Sequence, residues 1–161
     1  MFLILLYDKD IMKIILGGTF DIIHKGHITL IKKAFNLANK NDVVYIGLSD
    51  VKLIEEKISV KPYSKRKTNL ENFIKNQKYE KNFEIIKITD IFGPTLNQDF
   101  DIIVVSEETY QNAVLINKER IKINKKPIKI VKIPYILAED SKPISTTRIK
   151  NKEIDRFGKK I

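Results

Sequence analysis

Both histidines of the chain stand in one short segment, GGTFDIIHKGH, where their spacing suits phosphate chemistry. Gly17 and Gly18 allow the backbone to turn sharply, and His24 and His27 flank Gly26, near which a helix is expected to begin. Unpaired N–H groups at a helix start attract anions, and imidazoles beside the anion add hydrogen bonds. A lone histidine is more often structural, but this pairing predicts a phosphate site in which His27 follows developing charge.

A second candidate lies near the C-terminus, in the segment PISTTRI. The hydroxyl and N–H groups of Ser145, Thr146 and Thr147 could form another phosphate cradle, to which Arg148 would add a forked cation. The plainer interpretation is a helix N-cap, because Ser and Thr are favoured at helix starts. Taken alone, the segment does not choose between these interpretations.

The elements that must position these residues alternate between strand and helix. Consecutive apolar residues predict strands, and apolar residues at helical spacing predict helices. The expected strands are 13–16, 43–48, 83–88, 101–105 and 128–133, and the expected helices cover 26–39 and 108–120, begin at Pro62, and follow Ser145. Strands that are apolar on successive residues are typical of a parallel sheet covered on both faces. The sequence therefore predicts a single α/β domain, a Rossmann-like, doubly wound parallel sheet of five strands.

In such sheets ligands bind beyond the carboxyl ends of the strands. The glycine turn follows the first predicted strand, and the segment SEET, with Ser106 and Glu107, follows the fourth. A run of carboxylates is also typical of a solvated helix start, which the helix dipole favours. Both segments are expected at the same crevice.

The histidine segment resembles the HxGH signature of the nucleotidyltransferase superfamily, and ISTT resembles its second signature, which closes over the β- and γ-phosphates of a nucleotide. Several other stretches resemble the archaeal phosphopantetheine adenylyltransferases, and the resemblance spans residues 12 to 158. These stretches are LGGTFD, FGPTL, VVSEET, AEDSKPI and EIDRFG. The third glycine of a dinucleotide fingerprint and the Lys-Ser/Thr of a P-loop are both missing, which argues against hydride transfer and P-loop hydrolysis.

The resemblance implies adenylyl transfer from ATP to 4′-phosphopantetheine, giving dephospho-coenzyme A and pyrophosphate. It places His27 at the α-phosphate and His24 at the nucleotide phosphates, and Thr19 and Lys57 at the acceptor phosphate. It further implies nucleotide contacts from the two signatures, acceptor contacts from the segments between them, and a magnesium ion held by the nucleotide rather than by protein ligands. The nucleotide contacts expected are Gly18, Thr19, Phe20, Gly26, Ser145, Thr146, Thr147 and Arg148, and the further acceptor contacts are Arg66, Ser106 and Glu107. Lys52 and Lys61 compete with Lys57 for its role.

Two departures keep alternatives open. Archaeal adenylyltransferases commonly carry Ser-Ser-Thr-Arg where this chain has Ser145-Thr146-Thr147-Arg148, and Ser-Thr-Thr is frequent in cytidylyltransferases. Cytidylyltransferases, however, usually place glycine before the isoleucine, where this chain has Pro143. The alternatives are a cytidylyltransferase acting on a polyol phosphate, an FMN adenylyltransferase, or a basic binding module without catalysis.

Composition limits the remaining classes. The chain of 161 residues carries a net charge of +10 and no cysteine, which excludes disulfides, thiolate nucleophiles and iron–sulfur clusters. Its lysines are scattered without interleaved aromatic residues, so no nucleic-acid partner is expected. The opening apolar run of six residues is too short to span a membrane and lacks signal-peptide features, which predicts a cytoplasmic protein. Residues 1–11 precede the expected domain, 12–161, as a possible extension, and the oligomeric state is not predicted.

Overall fold

Five short apolar runs form one all-parallel sheet, in the order β3-β2-β1-β4-β5. The computed structural model describes residues 10–50 and 59–161. The strands are β1 (Lys13–Gly18), β2 (Val43–Ser49), β3 (Asn82–Ile88), β4 (Ile102–Val105) and β5 (Lys129–Lys132). The predicted fold class and the predicted number of strands are confirmed.

Within the described residues, four α-helices and one 3₁₀ turn join or follow the strands. They are α1 (Lys25–Leu37), α2 (Tyr63–Asn76), the 3₁₀ turn Gly93–Leu96, α3 (Tyr110–Lys122) and α4 (Thr146–Lys150). α3 begins two residues later than the sequence predicts, because the hydroxyl of Thr109 folds back to accept a hydrogen bond from the Ser106 N–H at 3.2 Å. The expected boundary between residues 1–11 and the domain lies mostly outside the described residues and stays a prediction.

The two faces of the sheet are covered by different helices, as a doubly wound fold requires. Side chains alternate along a strand, so Ile14 and Leu16 of β1 point to one face and Ile15 points to the other. The first face packs against α1 and α2, and the second packs against α3. Burial of each such side chain stabilises the fold by roughly 1.5–3 kcal/mol, which gives β1 and its neighbours a rigid frame.

The order of the strands reverses beside β1, which lies between β2 and β4. The chain therefore leaves the carboxyl ends of β1 and β4 in opposite directions, and the connections diverge around a crevice. Two further parts of the chain lie beside this crevice: the segment that follows β5, and α4 near the C-terminus. The fold thus brings the glycine turn, the start of α3 and the ISTT segment to one place.

Candidate active site

A cleft of about 430 Å³ opens at the carboxyl ends of β1, β4 and β5. It is lined by both signature segments, by the turn before α3 and by the chain after β5. The predicted site residues that line it are Gly18, Thr19, His24, Gly26, His27, Ser106, Ser145, Thr146 and Thr147. Leu30, Ile133 and Ile136 supply an apolar wall. The two signatures, far apart in sequence, therefore face one cavity.

The turn after β1 is shaped by Phe20, whose backbone takes a positive φ of 48° while its ring is buried. A Cβ atom on Gly18 would lie 2.9 Å from this ring, so only glycine fits there without displacing it. The ring also packs against His27, with the centroids 4.9 Å apart. Phe20 therefore supports the cleft from below, and its expected contact with the nucleotide is not provided by its side chain.

The two imidazoles are stacked, with ring centroids 3.8 Å apart. His24 is the N-cap of α1 and its Nδ1 accepts a hydrogen bond from the Gly26 N–H at 3.1 Å. Nδ1 of His27 lies 3.0 Å from the Ile22 carbonyl oxygen. Because each ring is held through Nδ1, its Nε2 atom is left for a ligand in the cleft.

The first N–H groups of α1 already have partners. The Lys25 N–H donates to the Arg156 carbonyl at 2.9 Å, and the Gly26 N–H donates to His24. The expectation that these free N–H groups hold a phosphate is therefore wrong for the first two positions of the helix. The imidazoles must carry most of the contact with an anion at this end of the cleft.

Both histidines are neutral at pH 7 in this protein. Burial lowers the pKa of His24 to about 4. Burial and, to a smaller extent, the neighbouring His24 lower the pKa of His27 to about 3, and the hydrogen bond with the Ile22 carbonyl opposes this shift. A positive charge on either ring is costly unless an anion accompanies it.

Asp21 connects three segments beneath the cleft. Its carboxylate is almost fully buried, accepts a hydrogen bond from the Lys61 N–H at 2.8 Å, and lies 2.5 Å from Nζ of Lys150. Burial acts to raise the pKa of Asp21, but the hydrogen bonds and charges of Lys150 and Lys61 outweigh it and leave the pKa below the usual value. The ionised carboxylate therefore attaches α4 to the histidine segment. Nζ of Lys61 also donates to the Asp21 carbonyl at 2.9 Å.

Arg66 has a supporting role instead of the substrate contact expected from the sequence. Its side chain is fully buried and does not line the cleft. Nε donates to the Lys61 carbonyl and Nη1 to the Thr19 carbonyl, both at 2.8 Å. Arg66 thus holds Thr19 at the cleft wall from behind, because α2 brings it under the turn after β1.

In the second signature, Ser145 is the N-cap of α4 and its Oγ accepts a hydrogen bond from the Arg148 N–H at 3.3 Å. The N-cap interpretation is therefore confirmed, and the same residue also lines the cleft. The Arg148 guanidinium does not line it. It is engaged by Asp140 and by Glu153, at 2.9 Å from Nε, and donates from Nη1 to the Pro143 carbonyl. The guanidinium is therefore engaged within the protein, and its contact with the nucleotide stays a prediction.

Lys150 takes the place at the cleft that the sequence assigned to Arg148. It lies three residues after Thr147 on α4, one helical turn along, so both line the cleft. Its Nζ also donates to the Ser59 carbonyl at 3.0 Å. Helical spacing counted from Thr147 is the signal that would have found it.

The turn before α3 presents Ser106, Glu108 and Thr109 to the cleft. Glu107 instead faces Lys132, with 3.1 Å between its carboxylate and Nζ. The acidic residue that this turn presents to the cleft is therefore Glu108, one position later than expected.

Lys57 and its competitor Lys52 lie outside the described residues. Among the residues that are described, no group of three or more His, Asp or Glu side chains could hold a metal ion. Within the same described ranges, no helix is long and apolar enough to cross a membrane.

Comparison with known proteins agrees with this architecture. Residues 15–152 match the cytidylyltransferase-like family. A phosphopantetheine adenylyltransferase from Methanosarcina acetivorans is 45% identical over 91% of this chain and 94% of its own length. One from Archaeoglobus fulgidus is 44% identical over 91% of this chain and 98% of its own.

A solved structure of a protein of unknown function from Archaeoglobus fulgidus superposes with a TM-score of 0.68 at 40% identity, covering 76% of this chain and 89% of that one. Family match, curated relatives and solved structure thus agree over most of the chain. The chain is a nucleotidyltransferase of the cytidylyltransferase-like family and, within that family, belongs to the phosphopantetheine adenylyltransferases.

Proposed function

We propose that the cleft transfers the adenylyl group of ATP to 4′-phosphopantetheine, releasing pyrophosphate and forming dephospho-coenzyme A in coenzyme A biosynthesis. The observation that carries this proposal is the meeting of His24 and His27 with Ser145, Thr147 and Lys150 around one cavity. Relatives over 40% identical along nearly their whole length are phosphopantetheine adenylyltransferases, which supports the choice of substrates.

The acceptor needs little activation. A phosphate monoester has a second pKa near 6 and is largely dianionic at pH 7. One of its oxygens attacks the α-phosphorus of ATP, and the bond from that phosphorus to the oxygen bridging to the β-phosphate breaks. The electron pair leaves on pyrophosphate, so the step requires no general base and no covalent intermediate with the protein.

The protein's task is to align the two phosphates and to stabilise the negative charge that spreads over them. As the family resemblance implies, we assign His27, whose ring packs against Phe20, to the α-phosphate, and His24, whose ring stacks on that of His27, to the neighbouring nucleotide phosphates. Thr19, held from behind by Arg66, faces the acceptor phosphate. Lys57 is proposed for the same phosphate on the basis of the family resemblance alone.

The leaving pyrophosphate is assigned to the second signature. The segment Ser145 to Thr147 offers hydroxyl groups to the cleft, and Lys150 offers a cation in the position expected for Arg148. Ser106 and Glu108 line the same cleft, and we assign them to contacts with the acceptor.

Magnesium fits the site as an ion carried by the nucleotide. Asp21 is already engaged by Lys150 and by the Lys61 N–H, so this carboxylate is not offered to a metal. Mg²⁺ retains water and phosphate oxygens as ligands where no protein cage exists. When bound, it would neutralise part of the charge on the β- and γ-phosphates.

Both substrates are small molecules, and neither a nucleic acid nor a membrane is required by this chemistry. The scattered lysines of a chain with net charge +10 attract polyphosphates over a distance rather than mark one binding face. We place the enzyme in the cytoplasm, where ATP is supplied.

A single assay tests the proposal. Pyrophosphate release is measured with ATP or CTP, each against 4′-phosphopantetheine, glycerol phosphate and FMN. We expect turnover with ATP and 4′-phosphopantetheine only. Turnover with CTP and glycerol phosphate, or with ATP and FMN, would replace the proposal by the corresponding alternative, and no turnover with any pair would reject catalysis.

Lys118→Met serves as a matched control in this assay, because Lys118 is exposed on α3 and does not line the cleft. It removes one positive charge without touching the site. Its kcat and KM are expected to equal those of the unmodified enzyme.

A further inference from the structure

The two stacked imidazoles are held by backbone groups of opposite character. Nδ1 of His24 faces the Gly26 N–H at 3.1 Å, and that group can only donate. Nδ1 of His27 faces the Ile22 carbonyl at 3.0 Å, and that group can only accept. A neutral imidazole carries its proton on one nitrogen, so these two partners select opposite tautomers.

His24 must leave its Nδ1 unprotonated to accept from Gly26, and its proton therefore resides on Nε2. His27 must carry its proton on Nδ1 to donate to Ile22, and its Nε2 is then a bare lone pair. The backbone N–H of His24 also approaches Nδ1 of His27, at 3.4 Å, and this contact favours the His27 tautomer with its proton on Nε2. The contact between Nδ1 of His27 and the Ile22 carbonyl oxygen is 0.4 Å shorter than the contact with the His24 backbone N–H. The shorter contact is the stronger hydrogen bond and therefore decides the tautomer of His27 in the free protein.

A phosphate oxygen placed before the two Nε2 atoms meets a donor on His24 and a lone pair on His27. The lone pair repels the anion unless it gains a proton. We infer that binding of the nucleotide draws one proton onto Nε2 of His27, while His24 serves as a neutral donor throughout. This inference rests on the proposed function, since it assumes a polyphosphate in the cleft.

The arrangement of the rings explains why only one of them becomes charged. Protonation of His24 on Nδ1 would break its hydrogen bond with Gly26, whereas protonation of His27 on Nε2 keeps the bond with Ile22. The two rings are 3.8 Å apart, so a second positive charge would be repelled by the first. The imidazolium of His27 then has a donor on each nitrogen.

In the free protein His27 is neutral at pH 7, since burial lowers its pKa to about 3. The proton must therefore arrive together with the anion, whose several negative charges favour the imidazolium. Other charged side chains of the described residues also face this cleft. Asp21 comes from the same loop, Glu108 from the turn before α3, and Lys150 from α4. Asp21 is already ionised and paired with Lys150, so it does not take up the proton.

The binding experiment is calorimetric titration of the full-length protein with ATP in excess magnesium and, separately, with inorganic triphosphate, near pH 7.5 in buffers of different ionisation enthalpy. The dependence of the apparent enthalpy on the buffer reports the protons exchanged. We expect uptake of about one proton per bound anion. Binding without proton uptake would overturn the inference, because His27 would then bind as the other neutral tautomer.

Three variants assign the proton. His27→Gln places a permanently neutral N–H donor near the former Nε2, and we expect it to abolish the uptake while binding persists. His24→Asn keeps an acceptor for the Gly26 N–H, and we expect it to retain the uptake. Glu108→Gln removes the exposed carboxylate of the cleft and is expected to retain it as well. Uptake that survives in His27→Gln, or disappears in Glu108→Gln, would overturn the inference.

The tautomers of the free protein are measured by ¹⁵N resonances of the two imidazoles, with no ligand present. We expect the proton on Nε2 of His24 and on Nδ1 of His27, and a doubly protonated His27 after addition of triphosphate. A free His27 that carries its proton on Nε2 would overturn the inference whatever the enzyme catalyses. Proton uptake with triphosphate, combined with no pyrophosphate release from any substrate pair, would instead reject the proposed function and leave this inference standing.

Discussion

The two signature segments that face each other across the cleft are fixed in different ways. The imidazoles of the histidine segment are held by backbone hydrogen bonds and by the buried ring of Phe20, so they have one geometry before any ligand arrives. The ISTT segment is held by ion pairs, through Arg148 to Asp140 and Glu153 and through Lys150 to Asp21. Ion pairs compete with a polyphosphate for the same cations, whereas backbone hydrogen bonds do not.

The different ways in which the two segments are held suit them to different tasks, the first to the chemical step and the second to binding of the nucleotide. Groups that stabilise charge in a transition state are most effective when they need no rearrangement, which suits the histidine segment. Groups that bind the departing end of the nucleotide must also release it, and a cation that returns to Asp21 can do so. Substitutions in the first segment are therefore expected to act on kcat, and substitutions in the second on KM.

The largest effect is expected for His27→Ala, which removes the ring assigned to the α-phosphate. Loss of one prearranged donor at developing charge lowers turnover by on the order of a hundredfold or more. Steady-state kinetics of pyrophosphate release, with ATP and 4′-phosphopantetheine, measures the effect.

The control for His27→Ala is a test that the variant is still folded. Circular dichroism and the melting temperature are expected to stay close to those of the unmodified enzyme, because His27 is only half-buried. A correctly folded variant with unchanged kcat would remove His27 from the mechanism.

The next effect is a loss of stability in acid to which both histidines contribute. His24 has a pKa of about 4 in the folded protein and about 6.5 when unfolded, so the unfolded chain binds more protons between these values. Stability is full above about pH 6.5 and falls as the pH is lowered toward 4, by about 2 kcal/mol at pH 5 for this group. Urea unfolding at a series of pH values measures the slope.

His24→Asn keeps the cap on Gly26 but cannot titrate, and we expect it to remove the contribution of His24 to that slope while the contribution of His27 remains. Saturation with ATP is expected to flatten it further, because the ligand favours the protonated His27. A slope that is the same with and without His24 would assign the acid lability to other groups.

The fold was predictable because it depends on patterns that survive in any context. Successive apolar residues such as Ile102 to Val105 indicate a strand covered on both faces, and the glycine pair after β1 indicates a sharp turn. The alternation of such runs with helical spacing is enough for a doubly wound sheet. The exact ends of the helices were harder to predict. At α3, for example, the Thr109 hydroxyl accepts a hydrogen bond from the Ser106 N–H, and the helix begins only after it.

The two signatures were predicted to face one cleft and do so, but for the other charged residues the site was predictable only as far as residue type. Arg66, Arg148 and Glu107 have the charges that a phosphate or an arm would attract, yet the structure engages each with the protein itself. Sequence carries no signal for which of several cations a loop carbonyl or carboxylate already holds. Lys150 reaches the cleft two residues after Arg148, on the helical turn that follows Thr147, and Glu108 reaches it one residue after Glu107, from the turn before α3.

A smaller effect is expected for Lys150→Met, since it tests binding at the second segment. Loss of one charge-assisted hydrogen bond to a phosphate corresponds to roughly a tenfold rise in KM for ATP, with kcat changed less. Lys150→Arg is expected to retain most of the affinity, because the cation is kept.

The partner of Lys150 requires its own control. Lys150→Met leaves the buried Asp21 carboxylate without its cation, which destabilises the fold. The double variant Asp21→Asn with Lys150→Met removes both charges and is expected to recover stability without recovering KM. A double variant with normal KM would show that Lys150 acts on Asp21 and not on the nucleotide.

The smallest effect is expected for Arg148→Met, and it decides between two interpretations of the second segment. If Arg148 were a cation that contacts the leaving pyrophosphate, the substitution Arg148→Met would lower kcat at least tenfold. As the anchor seen here, shared by Asp140, Glu153 and the Pro143 carbonyl, it positions α4 only. We therefore expect kcat to stay within about twofold, KM for ATP to rise only a few-fold, and the melting temperature to fall by a few degrees. Raising the salt concentration weakens the same ion pairs in the unmodified enzyme, so the difference between the two proteins in melting temperature should shrink as salt is added. If the difference in melting temperature did not depend on salt and kcat fell strongly, Arg148 would instead be assigned to contact with the leaving pyrophosphate.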